Sequence, residues 1–361
     1  MERAIEAWLS EQKSSKHGDQ LKVRYTLYGC LLLISHTASE SNAWRALVAN
    51  KTPDVMQRLY ELITHYLKVS HIAITNPIPA TTPEDCAENI IRAPCNFQPV
   101  YGDFGPSTAT SPPTQQDFDS ALWVTAKQNG IFQTWAPRWT MFSRGNISEK
   151  ARILELDSVV QAIEGGNESG KGCTAVDLYA GIGYFTFSYL KAGVSTVLCW
   201  DLNEWSCEGL GKGAKANHWE AKSLMPGMST NDVIDSHARL FVFDESNEHA
   251  SSRVQEARDG LPPIRHVNCG LLPTSRGSWQ TALDVIDPEL GGWLHIHENF
   301  GIKEIEQKSE EVRSALQEMQ DPSRSSVELQ HVNRLKSYAP GVIHCVLDIY
   351  IPGSLYTSPA S

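Results

Sequence analysis

The period of the apolar positions changes along the chain. Between residues 41 and 69, Trp44, Leu47, Val48, Val55, Leu59, Leu62, Ile63 and Leu67 recur at spacings near three and four, which predicts amphipathic helices. Pro53 opens the second of them. Residues 1 to 75 read as mainly helical on this basis. From 70 to 116 the chain holds Pro77, Pro79, Pro83, Pro94, Pro99, Pro106, Pro112 and Pro113, and reads as irregular, with 107–116 a polar Pro/Thr-rich segment and a candidate mobile loop. Regular patterning resumes with a helix predicted at 117–129 and a strand at 130–135. A further helix is predicted to start near Asn146 or Ser148, either of which suits an N-cap. The stretch 165–172 is rich in Gly, Asn and Ser and reads as a linker at a domain boundary.

Beyond it, β-branched and apolar runs alternate with helical patterns. Strands are predicted at 173–178, 196–201, 239–243, 264–268, 292–297 and 343–350, and helices at 184–192, 204–217, 277–286 and 303–319. Strand alternating with helix in this way argues for a doubly wound α/β sheet. The expected organisation is a helical and Pro-rich N-terminal region at 1–116, a connecting region at 117–165, and an α/β domain at 166–355.

The first strand of that domain carries the strongest chemical signal. It ends in Asp177 and continues Leu-Tyr179-Ala180-Gly181-Ile-Gly183 into a helix. Glycines let a backbone turn sharply and approach a ligand, and the helix N-terminus beyond offers free N–H groups. A dinucleotide fingerprint would need a third glycine at 186, where this chain has Thr. Acid followed by Gly-x-Gly is instead typical of Rossmann-like domains that cup the amino-acid end of S-adenosylmethionine. The second strand ends in Asp201, followed by Asn203, and an acid at this offset is placed to accept both ribose hydroxyls. The third runs into Asp244-Glu-Ser246-Asn247, polar groups for the adenine, and the fourth into Asn268-Cys-Gly-Leu-Leu-Pro273. Enzymes that methylate exocyclic amines usually read Asn/Asp-Pro-Pro-aromatic at that fourth end, so the pattern here counts against amine methylation. The fold class expected is α/β, a Rossmann-like class I S-adenosylmethionine-dependent transferase domain with a mostly parallel seven-stranded sheet, preceded by a smaller α-rich or α+β region.

Composition narrows the partners. The chain has 361 residues and a formal net charge of -11, which counts against general nucleic-acid affinity. The exception is the stretch 127–152, where Lys127, Arg138, Arg144, Lys150 and Arg152 face one acid, Glu149, and a single RNA would suit such a patch. The longest apolar run, 27–34, is far short of a membrane span, and no secretory signal opens the chain. Cysteines at 30, 86, 95, 173, 199, 207, 269 and 345 form no CxxC pair, so free thiols, no metal site and a cytoplasmic location are expected.

Several segments together resemble the tRNA wybutosine-synthesising protein 2 family, the tRNA(Phe) 4-demethylwyosine aminocarboxypropyltransferases. They are Tyr101-Gly-Asp-Phe-Gly105, Ala136-Pro-Arg-Trp-Thr-Met-Phe-Ser143-Arg-Gly-Asn146-Ile-Ser-Glu-Lys150, the loop from Asp177 to Thr186, His266-Val-Asn268-Cys-Gly-Leu-Leu-Pro-Thr-Ser275, Leu294-His-Ile-His297 and Lys336-Ser-Tyr-Ala-Pro-Gly341. The resemblance implies transfer of the 3-amino-3-carboxypropyl group of S-adenosylmethionine to C7 of the tricyclic base at position 37, in the anticodon loop of tRNA(Phe). It implies cofactor contacts from Ser143 and Lys150, with Lys150 neutralising the methionine carboxylate. Asp201 stands where the family usually has Glu, and Ser246 where it has Asp; Asn247 is retained. Arg138 and Arg144 are the candidates for phosphate contact. No side chain is marked as a general base, and His295 and His297 alternate onto one face of a strand, which suits a satisfied core or surface role rather than catalysis. Two other readings stay open: a tRNA guanine-37 N1-methyltransferase on the same fold, and a non-catalytic RNA-binding scaffold with a degenerate cofactor pocket.

Overall fold

The computed structural model describes residues 1–12, 23–76, 78–79, 81, 89–94, 96–231, 238–320 and 325–354. Pro77, Pro83, Cys86 and Cys95 lie outside them, while the other six cysteines are free thiols. The chain forms two compact units. The first is Met1–Ala126 with Thr134–Phe142, and the second is Lys127–Gln133 with the chain from Ser143 on.

The first unit contains α1 (Glu2–Glu11), β1 (Tyr25–Tyr28), β2 (Leu31–Ser35), α2 (His36–Ser39), α3 (Asn42–Val48), α4 (Pro53–Leu67), β3 (His71–Thr75), β4 (Gln98–Tyr101) and α5 (Gln115–Ser120). Pro53 sits in the first turn of α4, as its fixed φ predisposes it to. The expected helical character holds for Glu2–Glu11, His36–Ser39 and most of 42–67, and fails at Tyr25–Tyr28, Leu31–Ser35 and His71–Thr75, which are strands. The apolar run 27–34 is a strand pair turning at Gly29, and β1 to β4 form a four-stranded sheet in sequence order. Trp8, Leu32, Ile34, Leu59, Ile63 and Ile72 fill the core against that sheet. The helix predicted at 117–129 stops at Ser120. Residues Val124–Gln128 instead form β5, paired with β6 (Ile131–Trp135) around Asn129 and Gly130, both at positive φ. An Asn-Gly pair between two short apolar runs is a hairpin signal, and it overrides the helical spacing before it.

The second unit adds α6 (Ile147–Glu155), α7 (Asp157–Ser169), β7 (Thr174–Asp177), α8 (Thr186–Ala192), β8 (Thr196–Asp201), α9 (Glu204–Ala216), β9 (Ala221–Leu224), β10 (Leu240–Asp244), α10 (Ala250–Ala257), β11 (Ile264–Cys269), α11 (Trp279–Val285), β12 (Gly292–Gly301), α12 (Ile305–Met319), β13 (Glu328–Ala339) and β14 (Val342–Ile351). The sheet order is β13-β14-β12-β11-β7-β8-β10-β9. All pairings are parallel except those made by β14. The sheet is therefore Rossmann-like and mostly parallel, with eight strands where seven were expected. The polar edge strands β9 and β13 are the ones that the apolar pattern did not mark. Helices α6 to α9 pack on one face and α10 to α12 on the other. The segment read as a linker is helical as far as Ser169. Gly166 in it serves close packing, since a Cβ there would lie 2.5 Å from the Gly172 backbone.

One face of the sheet carries a line of buried polar groups that fastens α6. Arg152 donates from Nη1 and Nη2 to Asp348 at 2.6 and 3.0 Å, and from Nε and Nη2 to Glu149 at 2.9 and 2.6 Å. Asn333 Nδ2 also donates to Glu149, at 2.6 Å. Asp348 accepts from His295 Nδ1 at 2.7 Å, and His295 Nε2 lies 3.0 Å from His266 Nδ1. Of the core and surface roles expected for His295, the structure gives it the core one. The guanidinium and His295 pull the Asp348 carboxyl far below its usual range against the cost of its burial. Removing one partner of such a buried ion set leaves the others uncompensated. Arg152→Ala is expected to cost about 3–5 kcal/mol of stability in urea unfolding, whereas a loss under about 1 kcal/mol would mean that α6 is held by its apolar contacts alone.

Candidate functional site

The chain starts this sheet at β7, builds outward through β8, β9 and β10, then returns to β11 on the other side of β7. The crevice between the C-terminal ends of β7 and β11 is the topological switch point, where open α/β sheets bind ligands. Asp177 and Asn268 meet there. Asp177 is fully buried, and its Oδ1 accepts from Asn268 Nδ2 at 3.0 Å and from the Tyr179 amide at 3.4 Å. Its Oδ2 accepts from the Thr186 amide at 3.1 Å and the Thr186 hydroxyl at 2.8 Å. Burial pushes its pKa up and these four donors oppose the shift. Thr186, which excluded the dinucleotide motif, is the residue that joins this acid to the start of α8. The loop between them turns at Gly181 and Gly183, at φ +54° and +84°. Cβ atoms there would lie 2.8 Å from the rings of Tyr184 and Phe187, so the loop stays bare backbone.

The neighbouring strand ends supply further acceptors. Asp201 receives the Gly181 amide at 2.7 Å and the Asn203 amide at 2.9 Å, and each oxygen keeps a second lone pair for another donor. Ala180 donates to the Trp200 carbonyl at 2.9 Å, so the glycine loop is bound to β8 at two points. Asn203 is buried and caps α9 by accepting from the Trp205 amide at 3.1 Å, so its side chain serves the helix. Ser246 caps the turn after β10, and Asn247 Nδ2 donates to the Leu178 carbonyl at 2.7 Å. Tyr179 is half-buried beside them. Asp244 ends β10 in register with Asp201. Burial pushes Asp201 up to about 6, and burial with Glu204 nearby pushes Asp244 up to about 6 as well.

Ser143 and Lys150 flank the 3-10 turn Arg144–Asn146 that leads into α6. The Ser143 amide donates to the Tyr184 hydroxyl at 3.2 Å, which puts this segment over the glycine loop. Lys150 does not occupy the surface of α6. It is 2 % exposed and donates to Gln128 Oε1 at 2.6 Å and Gln133 Oε1 at 2.8 Å, with its ammonium 5.5 Å from the Tyr184 ring centre. Burial, helped by Lys336, pushes its pKa down to about 7. Gln133 also donates to the Gly183 carbonyl at 3.1 Å, and so joins the lysine to the loop. The two glutamines escaped sequence reasoning; the signal was their place on the two arms of the Asn-Gly hairpin. The basic stretch 127–152 does not form one solvated patch, because Lys150 and Arg152 point inward. Arg144 is exposed. Arg138 is half-buried and reaches the Gly105 carbonyl at 3.5 Å, and burial lowers its pKa.

This donor set fits S-adenosylmethionine. Bare loop backbone and a buried ammonium suit an amino-acid end, and the paired acids at β8 and β10 suit a nucleoside. Protonating Asp201 removes both charge and acceptor, so cofactor affinity measured by calorimetry is expected to fall as pH drops below about 6. Lys150 remains charged through that window. Asp244 titrates alongside, so the attribution rests on Asp201→Asn, which should bind more weakly at pH 7 and lose most of the slope; an unaltered slope would assign it to Asp244.

No family model matches the sequence. The chain is 39% identical over 327 residues to tRNA wybutosine-synthesizing protein 2 of Schizosaccharomyces pombe, across 90% of this chain and 72% of that one. It is 32% identical over 376 residues to the protein of the same name in Saccharomyces cerevisiae, across 92% and 74%. Among solved structures, Pyrococcus horikoshii TYW2 in complex with MeSAdo matches with a TM-score of 0.60 over 98% of this chain and 100% of that one, at 17% identity, which is a likeness of fold. With that sequence identity spread over nine-tenths of its length, the chain belongs to the tRNA wybutosine-synthesising protein 2 family.

Proposed function

We propose that this chain transfers the 3-amino-3-carboxypropyl group of S-adenosylmethionine to C7 of the 4-demethylwyosine base at position 37 of tRNA(Phe), in wybutosine biosynthesis, with methylthioadenosine as the second product. Membership of the family carries this reading, and the glycine loop with its strand-end acids supports it. Bound S-adenosylmethionine supplies a sulfonium with three activated carbons, of which Cγ is the one used here. The task of the protein is then orientation, since the carbon that reacts is the one held against the acceptor. In this reading Asp201 accepts the ribose hydroxyls, Ser246 and Asn247 border the adenine, and Asp177, Asn203 and Asn268 hold the strand ends in place. The backbone from Tyr179 to Gly183, with Ser143 and Lys150, receives the methionine end. Lys150, already between two amide oxygens, contributes a desolvated positive charge for the carboxylate.

Arg138 and Arg144 are the proposed contacts to phosphates of the anticodon loop. Among the described residues no helix is long and apolar enough to cross a membrane, and no group of His, Cys, Asp and Glu is placed to hold a metal ion. Six free thiols and a tRNA substrate support a place in the cytoplasm.

The deciding experiment supplies S-adenosylmethionine labelled separately in its methyl group and its methionine carboxyl, with tRNA(Phe) carrying the tricyclic precursor. Carboxyl label is expected in the RNA and methyl label in the small-molecule product. Methyl label in the RNA would make the chain a methyltransferase; label in neither, beside an active control enzyme, would leave a scaffold. Arg144→Ala is expected to weaken tRNA binding and reduce the salt slope by about 1, and an unchanged slope would remove Arg144 from the phosphate contacts.

A further inference from the structure

A chemical step in the proposed reaction still lacks a residue. When C7 bonds to Cγ, the Cγ–S bond breaks and its electron pair leaves with sulfur as neutral methylthioadenosine. C7 then carries both its old hydrogen and the new carbon, and the ring regains aromaticity only when that hydrogen leaves as a proton. Something must take it.

The second unit holds a concentration of buried polar atoms without hydrogen-bond partners. Five of them, Asn268 Oδ1, His297 Nε2, His344 Nδ1 and both amide atoms of Asn299, fall on β12 and the two strands that flank it; Ser158, Tyr189, Trp200, Ser309 and Gln320 hold the others among the described residues of this unit. An unsatisfied buried polar atom is costly, so the grouping of these five at one place suits a site that a ligand completes. Residues 295, 297 and 299 alternate onto one face of β12. His295 pairs in register with Asn268, and Asn299 with His344. Asn268 is the residue bound to Asp177 beneath the glycine loop. Strand β11 ends at Cys269, opposite Ile296, so His297 and Asn299 lie just past the C-terminal end of β11, on the ligand side of the sheet. The face is the one covered by α8: the Phe185 ring lies 4.9 Å from that of His297, and Phe185 also borders Gly270, after the end of β11.

Within this group His297 Nδ1 and His344 Nε2 lie 3.0 Å apart and share one hydrogen. Whichever ring donates it, the two outer nitrogens present one bare lone pair and one N–H. Burial, with His295 nearest to His297 and with His297 and Lys336 near His344, holds both rings neutral, their pKa values pushed down to about 3. A neutral pair with one open lone pair takes up a proton at one end while giving one up at the other. The strongly acidic C–H of the alkylated ring makes a weak base sufficient.

We propose that His297 and His344 form a two-histidine relay for the proton lost from C7. His297 Nε2 receives it, directly or across one bridging water; the hydrogen on His297 Nδ1 passes to His344 Nε2, and His344 gives its Nδ1 proton to a water molecule, which carries it to solvent. This rests on the function proposed above, and His297 is the catalytic residue of the pair.

The test uses full-length protein and tRNA(Phe) whose tricyclic base carries protium or deuterium at C7. Single-turnover transfer of carboxyl label is measured for the wild type and for His297→Asn, which keeps a polar group of similar reach but cannot take the proton. The wild type should transfer label with almost no isotope effect. His297→Asn should slow by about 100-fold or more and gain a deuterium isotope effect, with affinities for S-adenosylmethionine and tRNA unchanged. An unchanged rate, or a slower one without an isotope effect, would overturn the relay. Should that variant not fold, His344→Asn, which breaks the relay one step later, is read in the same way. A wild type that transfers no label would fail the proposed function instead, a result distinct from either outcome for the variants.

Discussion

The second unit is organised around a carboxylate that never meets water. Asp177 sits at the end of β7 with no cation against it among the described residues, and what makes its burial tolerable is four donors drawn from three places: the chain just beyond it, the first residue of α8, and the end of β11. Because each donor is needed, each is fixed. The glycine loop is thereby clamped at both ends, and the switch-point crevice has a floor before any ligand arrives.

Helix α6 faces the same floor from above and does two jobs with adjacent turns. Glu149 and Arg152 point to the sheet and fasten the helix to β13 and β14. Lys150, between them in sequence, points to the hairpin glutamines and the glycine loop. The charges that look like a surface patch in the linear sequence are an anchor and a buried ammonium in the fold. The anchor spans 196 residues of sequence between Arg152 and Asp348 and could not be inferred from spacing.

The parts legible in the sequence are those where local chemistry and tertiary role agree. β7, β8, β10 and β11 are buried on both faces, so their apolar runs and polar ends stood out, and the glycine loop followed from them. β9 and β13 are edge strands with mixed exposure, and their polar sequences hide them. In the first unit, helical spacing in 41–69 was sound, but the run 27–34 belongs to a sheet whose pairing only the fold reveals. The Gly-rich end of α7 looked like a linker, although Gly166 in it answers to a backbone lying against it. For the candidate site, the strand-end residues were proposed from their positions, and the structure brings Asp177 and Asn268 together at the switch point. Asn203 caps α9, and His297 was read without its partner because His344 comes from a different strand.

The hairpin tip 127–133 is counted with the second unit although the chain on both sides of it belongs to the first. No single cut therefore frees the transferase half intact. A truncation starting at Ser143 would carry the whole sheet and the glycine loop yet lack Gln128 and Gln133, stripping both amide acceptors from a lysine that the fold keeps out of water. The first unit is thus tied to catalysis by inheritance of the polypeptide itself: the two modules must be made, and must diverge, as one continuous gene segment.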